Sequence, residues 1–129
     1  MSIQFVITEQ TDVLKSYAAV YGDNEKSADA GKGSGEGPVI GYGRLAHYKG
    51  RVTEVYDLWL TEEGKALIGL REFAEEFFAY LKKQGYEELC MISEDIDFGY
   101  QFGFSLEERD ASGWYPKYEF RRKLTDRRE

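Results

Sequence analysis

The 129-residue sequence predicts an α+β fold, a mixed and mostly antiparallel twisted sheet packed on one long helix. Three observations carry that expectation. Two extended runs, Pro38–Tyr48 and Arg51–Leu60, flank the tetrapeptide YKGR, where Lys49-Gly50 offers a tight hairpin turn. A helical pattern from about Lys65 to Gln84 leads into the strand-like ELCMIS, a passage long enough for a parallel crossover. Two further runs, FSLEERD and YPKYEFRRKL, finish the chain as a hairpin around Ala111–Gly113.

Taken in order, Ser2–Ile7 reads as a first strand. Thr11 is a capping residue, and Leu14, Ala18 and Tyr21 recur at helical spacing, so a helix is expected there. Gly22–Gly37 is small, polar and glycine-rich and reads as a flexible loop. Its GKGSGEG fails the phosphate-loop pattern, because Gly33 follows Lys32 and a strand comes next instead of a helix. In the second run of the hairpin, Glu54, Tyr56, Leu58 and Leu60 are expected on one face and Val55, Asp57 and Trp59 on the other. The long helix carries an apolar stripe of Leu67, Leu70, Ala74, Phe77, Phe78 and Leu81. Glu62 and Glu63 suit its positive end, Lys82 and Lys83 its negative end, and Gly85 stops it. EDIDFGYQF reads as a short helix closed by Gly103. The expected order is β, α, β, β, α, β, α, β, β in one domain spanning 1–129.

Composition agrees with a folded domain: 42% hydrophobic residues and 16% aromatics exceed what a disordered chain carries. The net charge of −7 disfavours general nucleic-acid binding. That charge is uneven. Residues 1–120 hold 12 Lys and Arg against 22 Asp and Glu, whereas the nine from Arg121 hold five against two. This basic tail (121–129) reads as a solvated terminus. A single cysteine, Cys90, excludes an internal disulfide and lies in an apolar run, as a structural thiol does. The lone His47 has no companion zinc ligand and reads as a surface residue near a hairpin end. With no signal peptide or long apolar run, a cytoplasmic protein without membrane contact is expected.

Three local signals resemble the GNAT superfamily of acetyl-CoA-dependent N-acetyltransferases. EVYDLWL running through TEEGKALIG into a long helix is similar to the family's cofactor motif, a strand followed by R/Q-x-x-G-x-G/A. KKQGYEELCMIS resembles the helix end and next strand, and FGYQFGFSLEER resembles the short helix ending in Tyr-x-x-x-Gly-Phe. The likeness runs from about Pro38 to Leu124. It implies a GNAT-like sheet whose central strands splay, so that acetyl-CoA inserts its pantetheine arm against the backbone of Leu58 and Leu60. It places the pyrophosphate at the helix start, on Leu67, Ile68, Gly69 and Leu70, where free amides favour an anion, with no metal.

The resemblance also implies direct transfer of the acetyl group to a primary amine. Glu54 would act as general base, and Tyr100 would return a proton to the leaving thiolate. The chain departs from the pattern in three places. Gly64 stands where Arg or Gln is usual, Leu67 where the first Gly is usual, and Gly99 where the tyrosine is usual, with Tyr100 one step late. Tyr42, Tyr48, Trp114 and Tyr115 could line an acceptor cleft or be ordinary strand aromatics. The acceptor would be an amine-bearing small molecule or a protein lysine, with a homodimer left open. The alternative is a non-catalytic GNAT-like binding or structural module, such as an accessory protein of a phage or mobile element.

Overall fold

The computed structural model describes residues 2–22, 37–110, 113 and 117–124. Most of the glycine-rich segment, Trp114, Tyr115 and the end of the basic tail lie outside the described residues. The strands are β1 (Ser2–Gln10), β2 (Leu14–Gly22), β3 (Val39–Ala46), β4 (Thr53–Leu60), β5 (Glu88–Ser93), β6 (Ser105–Asp110) and β7 (Lys117–Lys123). The helices are α1 (Glu62–Leu67), α2 (Leu70–Lys83) and α3 (Ile96–Gln101). The strands form one sheet in the order β1-β2-β3-β4-β5-β7-β6, antiparallel throughout except for the β4–β5 pair. The expected hairpin is present, and Gly50 takes the positive φ of 74° that its turn requires.

One expected helix is a strand. Leu14–Gly22 pairs with β1 on one side and β3 on the other, and Ser16–Val20 are buried in succession. A strand covered on both faces is apolar at every position, so it also satisfies helical spacing. Thr11 does cap, but it caps a turn. Its Oγ1 accepts from the amides of Val13 and Leu14 at 3.1 and 2.9 Å, closing the β1–β2 hairpin.

The long helix is interrupted. Ile68 (φ −153°, ψ 149°) and Gly69 (φ −80°, ψ 158°) are extended, so α1 ends at Leu67 and α2 starts at Leu70. Thr61 fixes the corner. Its Oγ1 accepts from Gly64 N–H and donates to the Val39 carbonyl, both at 3.0 Å, and its own N–H donates to the Ile40 carbonyl. Gly64 lies against that carbonyl so closely that a Cβ would come within 1.9 Å of the oxygen. Leu67, expected in the apolar stripe, is instead 43% exposed at the end of α1.

α2 packs on one sheet face through Phe73, Ala74, Phe77, Phe78 and Leu81, all buried. Phe73 and Phe77 ride over Gly41 and Gly43 of β3, where any Cβ would be within 2.6 and 2.7 Å of a ring. Tyr17, Leu45, Val55, Leu89, Met91, Phe102, Phe104 and Phe120 complete this core. Burying each large side chain contributes roughly 2–3 kcal/mol. Arg122 of β7 ties the far end to α2. It reaches both Glu75 carboxylate oxygens at 2.7 and 2.9 Å, donates to the Phe102 carbonyl at 2.8 Å, and lies 5.2 Å over the Phe78 ring.

Candidate functional site

The site begins with how β4 pairs. On its β3 side the register runs Gly41↔Leu60, Tyr42↔Trp59, Gly43↔Leu58 and Arg44↔Asp57, then skips to Leu45↔Val55. Tyr56 is therefore an extra, bulged residue, and the alternation of faces reverses there. Leu58 and Leu60 join Val55 on the α2 face. Glu54, Asp57 and Trp59 share the opposite face, across from Ala46, Arg44 and Tyr42. The strict alternation expected from sequence is thus wrong beyond position 55, and Asp57 does not face away from Glu54.

On its other side β4 meets β5 at only two positions, Thr53↔Leu89 and Glu54↔Cys90. β5 itself stays paired with β7 along all of Glu88–Ser93. The two central strands therefore part after Glu54. Thr61 N–H points to β3, onto the Ile40 carbonyl. Amide direction alternates along a strand, so the N–H groups of Leu58 and Leu60 point the other way, into the opening.

The opening leads to a cleft of about 460 Å³. Leu58, Trp59 and Leu60 come from β4, Lys65 from α1, and Ile68, Gly69 and Leu70 from the helix junction. The N–H groups of Leu70, Arg71 and Glu72 open α2 with no carbonyl one turn back to receive them, at the positive end of a 14-residue helix. Gly69 N–H donates to Glu72 Oε1 at 3.2 Å. Of the sequence-derived cofactor residues, Leu58, Leu60, Ile68, Gly69 and Leu70 come together here. Leu67 is not on the cleft wall. Lys65 and Trp59 were not anticipated. Among the described residues Lys65 is held only by an exposed contact to Glu62 at 3.2 Å, which is energetically slight. Trp59 is stacked on Tyr42 at 5.1 Å, with Arg44 6.0 Å from its ring.

On the opposite face, Glu54 sits at the last β4–β5 rung and lines a second cleft of about 370 Å³ with Ile92, Ser93, Glu94 and Lys117. Burial pushes its carboxyl above the usual range, and Glu119 adds to this while Arg51 opposes it. Cys90, its neighbour on β5, is buried, and burial pushes its thiol up to about 11. Tyr100 is half-exposed on α3 with its ring edge-on to Phe120 at 5.4 Å. Gly99 is buried against Phe120, where a Cβ would fall 2.2 Å from the ring, so no side chain fits one residue earlier. His47 is half-buried, and its Nε2 is 2.9 Å from the Tyr86 hydroxyl. Tyr48 is exposed at the hairpin.

Among the described residues no three His, Cys, Asp or Glu side chains are grouped to hold a metal ion, and no helix is long and apolar enough to cross a membrane.

No protein-family model matches the sequence, and no curated protein is similar enough in sequence to count as a relative. Solved structures do match in three dimensions. A Bacillus subtilis acetyltransferase in complex with CoA superposes with a TM-score of 0.62 at 11% identity, covering 96% of this chain and all of that one. An acetyltransferase from Desulfovibrio desulfuricans, assigned to the GNAT family, gives 0.59 at 13% identity, over 88% of this chain and 70% of that one. An aminoglycoside 6′-acetyltransferase of type Ii gives 0.56 at 12%, over 88% and 72%. With seven strands among the described residues, one parallel pair that splays and a long helix starting at the opening, this chain has a GNAT-like fold.

Proposed function

We propose that this protein is an N-acetyltransferase that moves an acetyl group from acetyl-CoA directly to a primary amine. The parting of β4 and β5 after Glu54 carries the reading, because it leaves strand amides with no neighbouring strand beside a helix start. The residues present suit the cofactor. Leu58 and Leu60 offer amides to the pantetheine arm, and the first turn of α2 offers amides to the phosphates. Lys65 adds a cation at the same cleft. Leu67 does not line the cleft. Gly69 has space beside its Cα, where an added Cβ would come no closer than 3.6 Å to its nearest neighbour, Glu72 Oε1.

Acetyl-CoA supplies an activated acetyl group. The protein's part is to deprotonate the amine and hold the developing charge. Glu54 stands at the apex of the opening on the acceptor side, and burial raises its proton affinity, as suits a general base. Tyr56, bulged out of the β3 ladder, frees backbone groups beside that apex for the carbonyl oxygen. Tyr100 is the proton donor proposed for the leaving sulfur. The acceptor is a small-molecule amine or a lysine side chain entering by the Glu54 cleft.

A second reading is favoured by one observation: position 99, where the family's tyrosine would stand, is sealed against Phe120. On that reading the fold is kept as a non-catalytic module. Thermal unfolding with acetyl-CoA, followed by thiol release over a panel of amines, separates the two. Cofactor at 100 times its dissociation constant stabilises the fold by about 2.7 kcal/mol. No stabilisation at millimolar acetyl-CoA rejects the transferase, and stabilisation without release supports the module.

A further inference from the structure

One of the two amides that face the opening is already engaged. Leu58 N–H donates to Asp57 Oδ1 at 3.1 Å. This is the amide that the cofactor reading assigns to the pantetheine arm, and one N–H does not serve two acceptors at full strength. The Asp57 side chain is exposed, so it can leave without opening the core. It also has somewhere to go. Arg44 is its direct cross-strand partner on the same face, close enough for a side-chain ion pair.

We propose that Asp57 is a displaceable placeholder on the open edge of β4. Its carboxylate holds the Leu58 amide while the site is empty and moves towards Arg44 when the arm of coenzyme A takes that amide. This rests on the cofactor reading above. It makes Asp57 a specificity-determining residue. Ligands that carry the arm must compete with Asp57, whereas ligands that engage only the helix start do not.

The test compares coenzyme A with its nucleotide half, adenosine bisphosphate lacking the arm, by calorimetry on wild type, Asp57→Asn and Asp57→Ala. Asp57→Ala is expected to bind coenzyme A about tenfold more tightly. Asp57→Asn, which keeps an uncharged acceptor, falls between, and adenosine bisphosphate binds all three alike. In the free protein, the Leu58 amide proton resonance should move upfield in Asp57→Ala as its bond is lost. Equal tightening for both ligands means simple charge repulsion and overturns the proposal. So does a Leu58 amide that ignores the substitution, or coenzyme A affinity that does not change. If coenzyme A binds none of the three proteins, the cofactor reading fails, and this proposal with it.

Discussion

Glu54 is a carboxylate that the fold pushes towards its neutral form, mainly by burial. Its folded pKa lies above the unfolded value of about 4.3, so the native state holds the extra proton between the two. The sign follows from linkage: stability is undiminished below the unfolded value and falls as pH rises through the raised one. Glu54→Gln should therefore raise the melting temperature at pH 7, and the gain should shrink towards pH 4. The same variant should lower acetyl transfer by about a hundredfold at neutral pH, and unchanged kinetics would remove Glu54 from the mechanism. Gly64 shows what the sequence could not. Its place in the motif suggested a missing phosphate ligand, but only the structure reveals the Ile40 carbonyl at its Cα. Gly64→Ala should cost about 3 kcal/mol in denaturant unfolding by forcing α1 off β3. Asp57 and Lys65 were equally hidden as site residues, because their roles depend on which way β4 faces and where α1 ends.

At the scale of elements, the hairpin of β3 and β4, the crossover to β5 and the closing hairpin were legible, because turn residues and alternation mark them locally. Three features were not. β2 is buried on both faces, so its apolar run fits either period. The bulge at Tyr56 is set by register against β3 and leaves no compositional trace. The break at Ile68–Gly69 carries no proline, and Glu72 reaching back to Gly69 N–H marks the new start only once the geometry is known. These last two decide the candidate site, since one turns Leu58 and Leu60 towards the α2 face and the other sets the free amides of the α2 start at Leu70. The Arg122 clamp is a long-range element contact of the same kind. The hydrogen bond from Arg122 holds the Glu75 carboxyl below its usual range, although burial opposes it. Its contribution is thus present above the unfolded value and lost as pH falls through the depressed one. Arg122→Ala should destabilise by about 1–2 kcal/mol near neutral pH, measured by urea unfolding, with a smaller difference in acid.

For the whole molecule, the decisive property is a sheet that is continuous at one end and open at the other. β1 to β4 form one wing, β5 to β7 the other, and two residue pairs join them. α2 packs over both wings, with Leu45 and Val55 on one side and Leu89, Met91 and Phe120 on the other. The core thereby ties both wings together beside the opening. The most direct measurement is an amide-resolved titration of the protein with coenzyme A. The amides of Leu58, Leu60, Leu70 and Arg71 should shift together and become protected from hydrogen exchange, while those of β6 stay unmoved. Saturating coenzyme A that leaves those four amides unchanged would contradict the assignment of this opening as the cofactor site.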